Sequence, residues 1–367
     1  MRVLVTGANG FLGKNLLAYL REKEIEAVIF THEMPNEQLQ SCLDNVEFVF
    51  HLAGVNRPKN PNEFAMGNKG LTEHLCDVIR ASGRQIPVVY ASSIQAELDN
   101  PYGISKKAAE QALVTLEAET GSPVYIYRLP NVFGKWSRPN YNSAVATFCH
   151  NIANDMPIQV NDPSATLHLV YVDDVIAEFL RIMVERPAGA NFPNCQPSYT
   201  ITVGELAKQI FAFRDSRQNM LIEAVGTGLT RALYSTYLSF LKPEQFSYGL
   251  SMHEDPRGRF VEMLKTKDSG QFSFFSAHPG VTRGGHYHHS KNEKFLVIQG
   301  KARFGFRHIV TGEAYELFTD GAQPKVVETV PGWSHNITNI GNEEMIVMLW
   351  ANEIFDREHP DTITYKV

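Results

Sequence analysis

Cysteine is scarce: the 367 residues hold 4, Cys42, Cys76, Cys149 and Cys195, and no two form a C-x-x-C pair. A disulfide framework or a thiolate metal site needs closer, patterned spacing, so both are excluded. Buried free thiols in a reducing compartment are the expectation. Long apolar runs are missing as well. None approaches the ~20 residues of a membrane span, and glycines interrupt the short apolar stretch after Arg2. Neither a membrane helix nor a secretory signal is expected, which leaves the cytoplasm as the default location. Nor is there an excess of positive charge. With 34 Lys and Arg against 40 Asp and Glu, the net charge of −6 argues against a nucleic-acid partner. What remains is an ordinary soluble composition, 43% hydrophobic and 20% charged. The length exceeds what one hydrophobic core usually supports, so two domains are expected.

Arg2–Thr6 is a β-branched, apolar run and reads as a strand buried on both faces. It leads into Gly7-Ala8-Asn9-Gly10-Phe11-Leu12-Gly13, then a helical pattern with Leu12, Leu16, Tyr19 and Leu20 on one face. A second apolar strand, 27–30, follows. A glycine motif between strand and helix in a βαβ unit is the context that gives it meaning. Gly7 permits the tight turn, Gly10 lets backbone approach a pyrophosphate, and Gly13 packs helix on strand. The pyrophosphate would rest on free N–H groups at the helix start, around Phe11 and Leu12.

Val88-Val89-Tyr90-Ala91-Ser92-Ser93 reads as a strand with serines at its carboxyl end, the edge where parallel sheets carry their sites. Tyr102-Gly103-Ile104-Ser105-Lys106 then gives Tyr-x-x-x-Lys on a helix that runs to Gly121. Residues at i and i+4 share a helix face, so the Lys106 ammonium can sit beside the Tyr102 phenol. A nearby cation favours phenolate, which predicts a Tyr102 pKa lowered from about 10 toward neutrality. Tyr102 can then pass a proton to a substrate oxygen as hydride reaches its carbon. A serine hydroxyl, Ser93 in preference to Ser92, would bond the same oxygen.

These pieces together resemble the extended short-chain dehydrogenase/reductase family, which includes many nucleotide-sugar enzymes. The resemblance implies that Leu52, Ala53 and Gly54 lay backbone against the adenosine and ribose. It implies that Lys106 also holds the nicotinamide ribose, and that Asn131 in Tyr127–Gly134 contacts substrate. His168–Val175 resembles the family's later strand-to-helix junction, where Asp173 and Asp174 are read as helix caps. Ser93 and Tyr102 are only nine positions apart, closer than the family's usual loop, and the choice between Ser92 and Ser93 stays open. An acid at the end of the second strand would bind the ribose 2′-OH of NAD. Thr31 stands there, followed by His32 and Glu33. The missing acid favours NADPH, and Glu33 keeps NADH in play.

After about Pro243 helical periodicity gives way to short alternating runs such as Gln271–Phe275 and Arg303–Phe306, with recurrent glycine and proline turns. That is an all-β sandwich or barrel signature. The division expected is 1–243 for an α/β, Rossmann-type, doubly wound parallel sheet and 244–367 for an all-β barrel. Within the second part come His286-Tyr287-His288, then Glu293 after four intervening residues, and Pro331-Gly332-Trp333-Ser334-His335. Two histidines at i and i+2 on a strand point to one side. With Glu293 and His335 they can complete a site of three nitrogens and one oxygen. Such ligands suit Zn²⁺, Fe²⁺, Mn²⁺, Ni²⁺ or Cu²⁺, and zinc is favoured because nothing demands redox chemistry. Residue types and spacing match both motifs of the cupin family, apart from a shortened start to the second. His289 and His308 stand outside the motif and are read as surface or supporting residues.

The combined order, with stretches such as His51–Pro58, Asn131–Trp136 and Lys291–Val297, resembles the bifunctional bacterial capsular-polysaccharide enzymes of UDP-N-acetyl-L-fucosamine synthesis. The resemblance implies NADPH and a UDP-linked 4-keto-6-deoxy-N-acetylhexosamine. It implies C3 epimerisation by a zinc cupin, reduction at C4 to a UDP-N-acetyl-6-deoxy-L-talosamine, and a homodimer. A 4-keto group acidifies the C–H bonds at C3 and C5, so epimerisation and hydride reduction are natural successive steps. The competing readings are a nucleotide-sugar C4 epimerase, and a reductase whose cupin only supports or dimerises the chain. His288, His289 and Lys294 are the candidates for the C3 base, with no geometry to choose among them.

Overall fold

Val3, Leu4 and Val5 are all fully buried in the strand Arg2–Thr6, as the absence of polar alternation requires. This computed structural model describes residues 1–58, 60, 62–250, 252–255, 258–261, 264–266, 271–353 and 358–367. Its contacts divide into two units, Met1–Val132 with His168–Thr200, and Phe133–Leu167 with Ile201–Val367.

The first unit carries a parallel sheet in the order Glu26–Phe30, Arg2–Thr6, Phe48–His51, Val88–Ser93, Val124–Leu129, Ala190–Asn191. Both faces are covered. On one, Leu4, Val49, Tyr90 and Ile126 pack against Leu75 and Ile79 of the Leu71–Ser82 helix and Leu113 of the Pro101–Thr120 helix. On the other, Phe50 and Tyr127 meet Phe179 of the Val172–Glu185 helix at ring-centre distances of 6.3 and 5.0 Å. This is the doubly wound Rossmann-type sheet expected. The first strand lies between the second and third, so the order reverses at its carboxyl end, where such sheets open a crevice for ligands.

Gly7 and Gly13 take the tight-turn and packing roles that their spacing implied. Gly7 has φ +69°, and a Cβ there would meet the Ala53 backbone nitrogen at 2.6 Å. Gly13, on the Phe11–Glu22 helix, is pressed on the turn itself, since a Cβ would stand 2.3 Å from the Gly7 carbonyl. A side chain at Gly7 would collide with the Leu52–Ala53 backbone, and one at Gly13 would push the helix off the turn.

The second unit combines three helices, Ala144–Ala153, Val203–Asn219 and Gly228–Leu238, with a cupin-type barrel. Two antiparallel five-stranded sheets form the barrel. One runs Ser247–Gly249, Lys325–Glu328, Glu293–Gln299, Met345–Ala351, Gln271–Ala277, and the other Ala314–Asp320, Lys301–His308, Trp333–Asn339, Thr282–Tyr287, Ile363–Thr364. Among the described residues no helix is long and apolar enough to cross a membrane. All four cysteines are buried and free, as expected. Burial raises the pKa of each thiol, which makes them poor nucleophiles.

Candidate functional site

The Val88–Ser93 strand ends where the Pro101–Thr120 helix begins its first turn, capped by the Asn100 side chain on the Gly103 N–H at 2.8 Å. This brings Ser93, Tyr102 and Lys106 together. The geometry also separates the two serines. Ser92 is buried and donates to Glu110 at 2.5 Å, and Glu110 in turn pairs with Arg128 at 2.7 Å. Ser93 is half-buried, accepts the Gln95 N–H at 3.2 Å, and is close enough to Tyr102 to pull its pKa down. The strand's alternation aims one hydroxyl into the helix packing and the other at the tyrosine.

Lys106 is buried and donates to the Ala91 carbonyl at 2.9 Å, with its ammonium 6.0 Å from the Tyr102 ring centre. Burial lowers its pKa to about 8, against the opposing pull of Glu110 one turn later. Tyr102 departs from expectation. Burial raises its pKa, which Ser93 only partly offsets, and the lysine is too far off to reverse the sign. A neutral phenol is nevertheless the form that gives up a proton during reduction.

Asn68, which the sequence reading passed over, completes this corner. It lies in the π-helical stretch Ala65–Gly70, where its side chain accepts from the Val55 N–H at 2.8 Å and donates to Ser105 Oγ at 2.9 Å. No motif marks it; the irregular helix that turns it inward is the signal. Beneath the Leu52–Gly54 segment, buried His51 bonds Thr6 Oγ1 at 2.7 Å and Thr72 Oγ1 at 2.8 Å. Thr72 spends its hydrogen on the Asn68 carbonyl at 2.7 Å, so His51 must donate from Nε2 and accept at Nδ1. Burial, then the Lys106 charge, lowers its pKa to about 3 and keeps the ring neutral.

The glycine turn stands at the other end of the crevice. Gly10 precedes the Phe11–Glu22 helix with no side-chain cap, so the N–H groups of Phe11, Leu12 and Gly13 have no helix carbonyl to bond. Thr31 is buried at the end of the second strand, with His32 and Glu33 exposed beyond it. Asn131 is exposed, and its amide nitrogen donates to the His168 carbonyl at 3.1 Å. Asp173 and Asp174 lie in the first turn of the Val172–Glu185 helix, while the cap position itself is Tyr171. Their charge complements the helix dipole there.

In the barrel, His286, His288, Glu293 and His335 converge, each offering one ligand atom within 4.8 Å of the others. His286 and His335 sit opposite one another across an antiparallel ladder, just past a bulge after Gly284. Their ring centres are 4.7 Å apart. The i, i+2 reasoning needs correction, because the strand ends at Tyr287 and His288 belongs to the following loop. It still reaches the cluster, with Nε2 3.2 Å from Glu293 Oε2.

The donor set fits a metal. Burial and the neighbouring rings of His335 and His288 lower the His286 pKa to about 3, which leaves a neutral imidazole. For Glu293 burial alone would raise the pKa, but the His288 and His335 rings, with Nε2 atoms 3.2 and 3.5 Å from its Oε2, hold it well below the usual range. Both ring nitrogens of buried His335 lack a hydrogen-bond partner, an arrangement that is costly without a cation to take a lone pair. Lys294, next to Glu293, points elsewhere. It pairs with buried Glu328, and the Tyr248 hydroxyl lies 3.1 Å from its nitrogen. Burial disfavours its charge, but Glu328 raises its pKa well above the ordinary value. An ammonium so held cannot accept a proton, which removes Lys294 as a base.

Comparison with known proteins agrees with both halves. Residues 3–193 match the NAD dependent epimerase/dehydratase family, and residues 253–363 the polysaccharide biosynthesis C-terminal domain. The chain belongs to the NAD-dependent epimerase/dehydratase family. It is 62% identical over 368 residues, covering 100% of this chain and 99% of the relative, to UDP-2-acetamido-2,6-beta-L-arabino-hexul-4-ose reductase of Pseudomonas aeruginosa. A crystal structure of the capsular polysaccharide assembling protein CapF from Staphylococcus aureus superposes with a TM-score of 0.69 at 42% identity, covering 100% of both chains. GDP-6-deoxy-D-mannose reductase of Pseudomonas aeruginosa is 26% identical over 227 residues, 53% of this chain and 74% of that one. The resemblance to the two-domain capsular-polysaccharide enzymes thus holds over the whole chain, and the family implies a nicotinamide cofactor.

Proposed function

We propose that the protein is a bifunctional nucleotide-sugar enzyme. Its division of labour is residues 1–243 for reduction and 244–367 for epimerisation. The substrate is a UDP-linked 4-keto-6-deoxy-N-acetylhexosamine, inverted at C3 in the cupin, reduced at C4 with NADPH, and released as a UDP-N-acetyl-6-deoxy-L-talosamine. The observation that carries the reading is the grouping of Ser93 at its strand end with Tyr102 and Lys106 on one helix face, in a chain 62% identical throughout to a 4-keto sugar reductase.

The bound nicotinamide supplies hydride to the carbonyl carbon. Gly7, Gly10 and Gly13, with the N–H groups of Phe11 and Leu12, would hold its pyrophosphate, and Leu52, Ala53 and Gly54 would line the adenosine side. Thr31 in place of an acid favours the 2′-phosphate of NADPH. Ser93 and Tyr102 hold the carbonyl oxygen between two hydroxyls, and Tyr102 gives it a proton as negative charge develops. Lys106 would hold the nicotinamide ribose and keep a positive charge near that oxygen. Asn131 lies on the substrate side. In the cupin, His286, His288, Glu293 and His335 would hold zinc, which supplies Lewis-acid stabilisation of an enolate oxygen. We further assign the protein to the cytoplasm, as its lack of long apolar runs suggested, and to a homodimer, following the same resemblance.

One reaction tests this: enzyme, NADPH and the 4-keto substrate in D₂O, with the product weighed by mass spectrometry. Reduction with one carbon-bound deuterium from solvent is the expected result. Reduction without that deuterium leaves the cupin as a supporting domain. Interconversion of the C4 epimers of a UDP-linked 4-hydroxy sugar, supplied in place of the 4-keto substrate and proceeding with catalytic nicotinamide and no net NADPH consumption, identifies a C4 epimerase instead. No turnover overturns the substrate assignment.

A further inference from the structure

The loop between the ligands His288 and Glu293 is buried along its whole length yet has no regular structure. Backbone N–H groups in such a place need partners from side chains. Asp361 supplies them. Its Oδ1 accepts the His289 N–H at 2.8 Å, and its Oδ2 accepts the N–H groups of Ser290 and Lys291, each at 2.7 Å. The Ser290 hydroxyl lies 3.2 Å from the same Oδ2. Meanwhile the main-chain carbonyl of Asp361 bonds His288 Nδ1. A carbonyl has no hydrogen to give, so Nδ1 carries the proton and Nε2 is the atom presented to the cluster. Two residues on, Ile363–Thr364 pairs with Tyr287 and His286 as an edge strand. One C-terminal segment therefore touches the backbone or side chain of both neighbouring ligands.

We propose that Asp361 is a positioning residue for the metal-ligand loop: its carboxylate locks the 289–291 turn while its carbonyl sets the tautomer and aim of His288. The inference rests on the metal reading of the cluster. Carbonyl-bound imidazoles are the common way proteins orient metal-ligating histidines, and losing such a partner typically costs about 10–100-fold in metal affinity. Here the carbonyl is held in place by the same residue's side chain, so removing the carboxylate frees both contacts together.

The loop has other anchors that leave it folded without Asp361. The Ser290 carbonyl accepts from Ser235 at 3.0 Å and from Asn292 Nδ2 at 2.8 Å, and Arg231 donates to Ser290 Oγ at 2.6 Å. Asn352 accepts the Asn292 N–H at 2.9 Å. A mere staple would cost thermal stability and leave the folded protein's metal affinity alone, whereas a positioning residue changes affinity and coordination.

The test measures Zn²⁺ affinity of the full-length wild type, Asp361→Ala and Asp361→Asn by competition with a chromophoric chelator. The visible spectrum of the Co²⁺-loaded proteins is recorded alongside, and NADPH affinity serves as the check on folding. We expect Asp361→Ala to bind Zn²⁺ about 10–100-fold more weakly with an altered Co²⁺ spectrum, Asp361→Asn to fall between, and NADPH affinity to be unchanged. Wild-type Zn²⁺ affinity and spectrum in Asp361→Ala overturn the inference while the metal reading stands. A wild-type protein that takes up no Zn²⁺ overturns both. If the variants fail to fold, nitrogen NMR of the Zn²⁺-loaded wild type decides: coordination of His288 through Nε2 with a protonated Nδ1 supports the assignment, and coordination through Nδ1 refutes it.

Discussion

Lys106 stands one helical turn after Tyr102, with its ammonium 6.0 Å from the tyrosine ring and its hydrogen bond given to the Ala91 carbonyl. At that distance the lysine does not ionise the phenol, and Tyr102 stays a neutral acid beside Ser93. Replacing Tyr102 with Phe removes the donated proton and little else. Steady-state kinetics of 4-keto reduction should show kcat lowered by about 10²–10⁴-fold, with NADPH affinity by fluorescence titration near that of the wild type. Wild-type turnover by the variant would mean that another group protonates the oxygen.

Lys106 also sets a pH limit. Burial places its pKa near 8, so the ammonium is present below that value and lost above it. Tyr102, shifted upward, remains protonated over the same range. The log of kcat/KM for reduction should therefore be level below about pH 8 and fall above it, in the profile that reports the free enzyme. Lys106→Met should be slower at neutral pH and lack the step. A wild-type profile flat to pH 10 would contradict the assignment.

The two serines give a paired prediction because they face different partners. Ser93→Ala removes a donor from the substrate oxygen and should lower kcat by about 10²–10³-fold, as loss of an oxyanion donor does, with the melting temperature unchanged. Ser92→Ala breaks the bond to buried Glu110, a charged partner worth about 1.5–3 kcal/mol. It should show in thermal denaturation, with the smaller effect on kcat. The reverse pattern would exchange their roles.

Much of this was legible in the chain. The β-branched run of Arg2–Thr6, the glycines after it and Tyr-x-x-x-Lys fixed a strand, a turn and a helix face, because each needs only local spacing. That His286, His288 and Glu293 could meet was readable from their close spacing, and His335 from the residue types of a second motif; the structure gathers the four into one cluster. What was not legible depended on contacts distant in sequence. Nothing near Tyr102 announces that burial outweighs the lysine, and nothing near His288 points 73 residues on to Asp361. Asn68 was hidden because an irregular helix has no periodicity to read. His288 lies beyond its strand because a bulge and a chain end, rather than alternation, place it.

Metal removal should act on the barrel alone. A ligand that binds only the folded state stabilises it by about 2.7 kcal/mol at 100 times its Kd and about 4.1 kcal/mol at 1,000 times. Dialysis against a chelator should lower the melting transition of the second unit, and re-addition of Zn²⁺ should restore it. His335→Ala should melt like the chelated protein and no longer respond to Zn²⁺. A transition indifferent to chelator and Zn²⁺ would count against a metal at this cluster.

Lys294, Glu328 and Arg217 make a buried group in which two cations share one carboxylate. Glu328 pairs with Lys294, lies 3.3 Å from Arg217, and faces the Tyr234 hydroxyl at 3.3 Å. Removing one partner of a buried pair costs about 3–5 kcal/mol because the other charge is stranded. The two single variants should differ. Lys294→Met leaves Glu328 paired with Arg217 and should fall at or below the low end of that range. Glu328→Ala leaves two cations facing each other and should reach the high end or fail to fold. Urea denaturation at pH 7 compares them. The same Lys294→Met protein, assayed for solvent deuterium at C3 of the sugar, should still exchange, since an ammonium buried against Glu328 is not the base; complete loss of exchange in a folded variant would return Lys294 to that role.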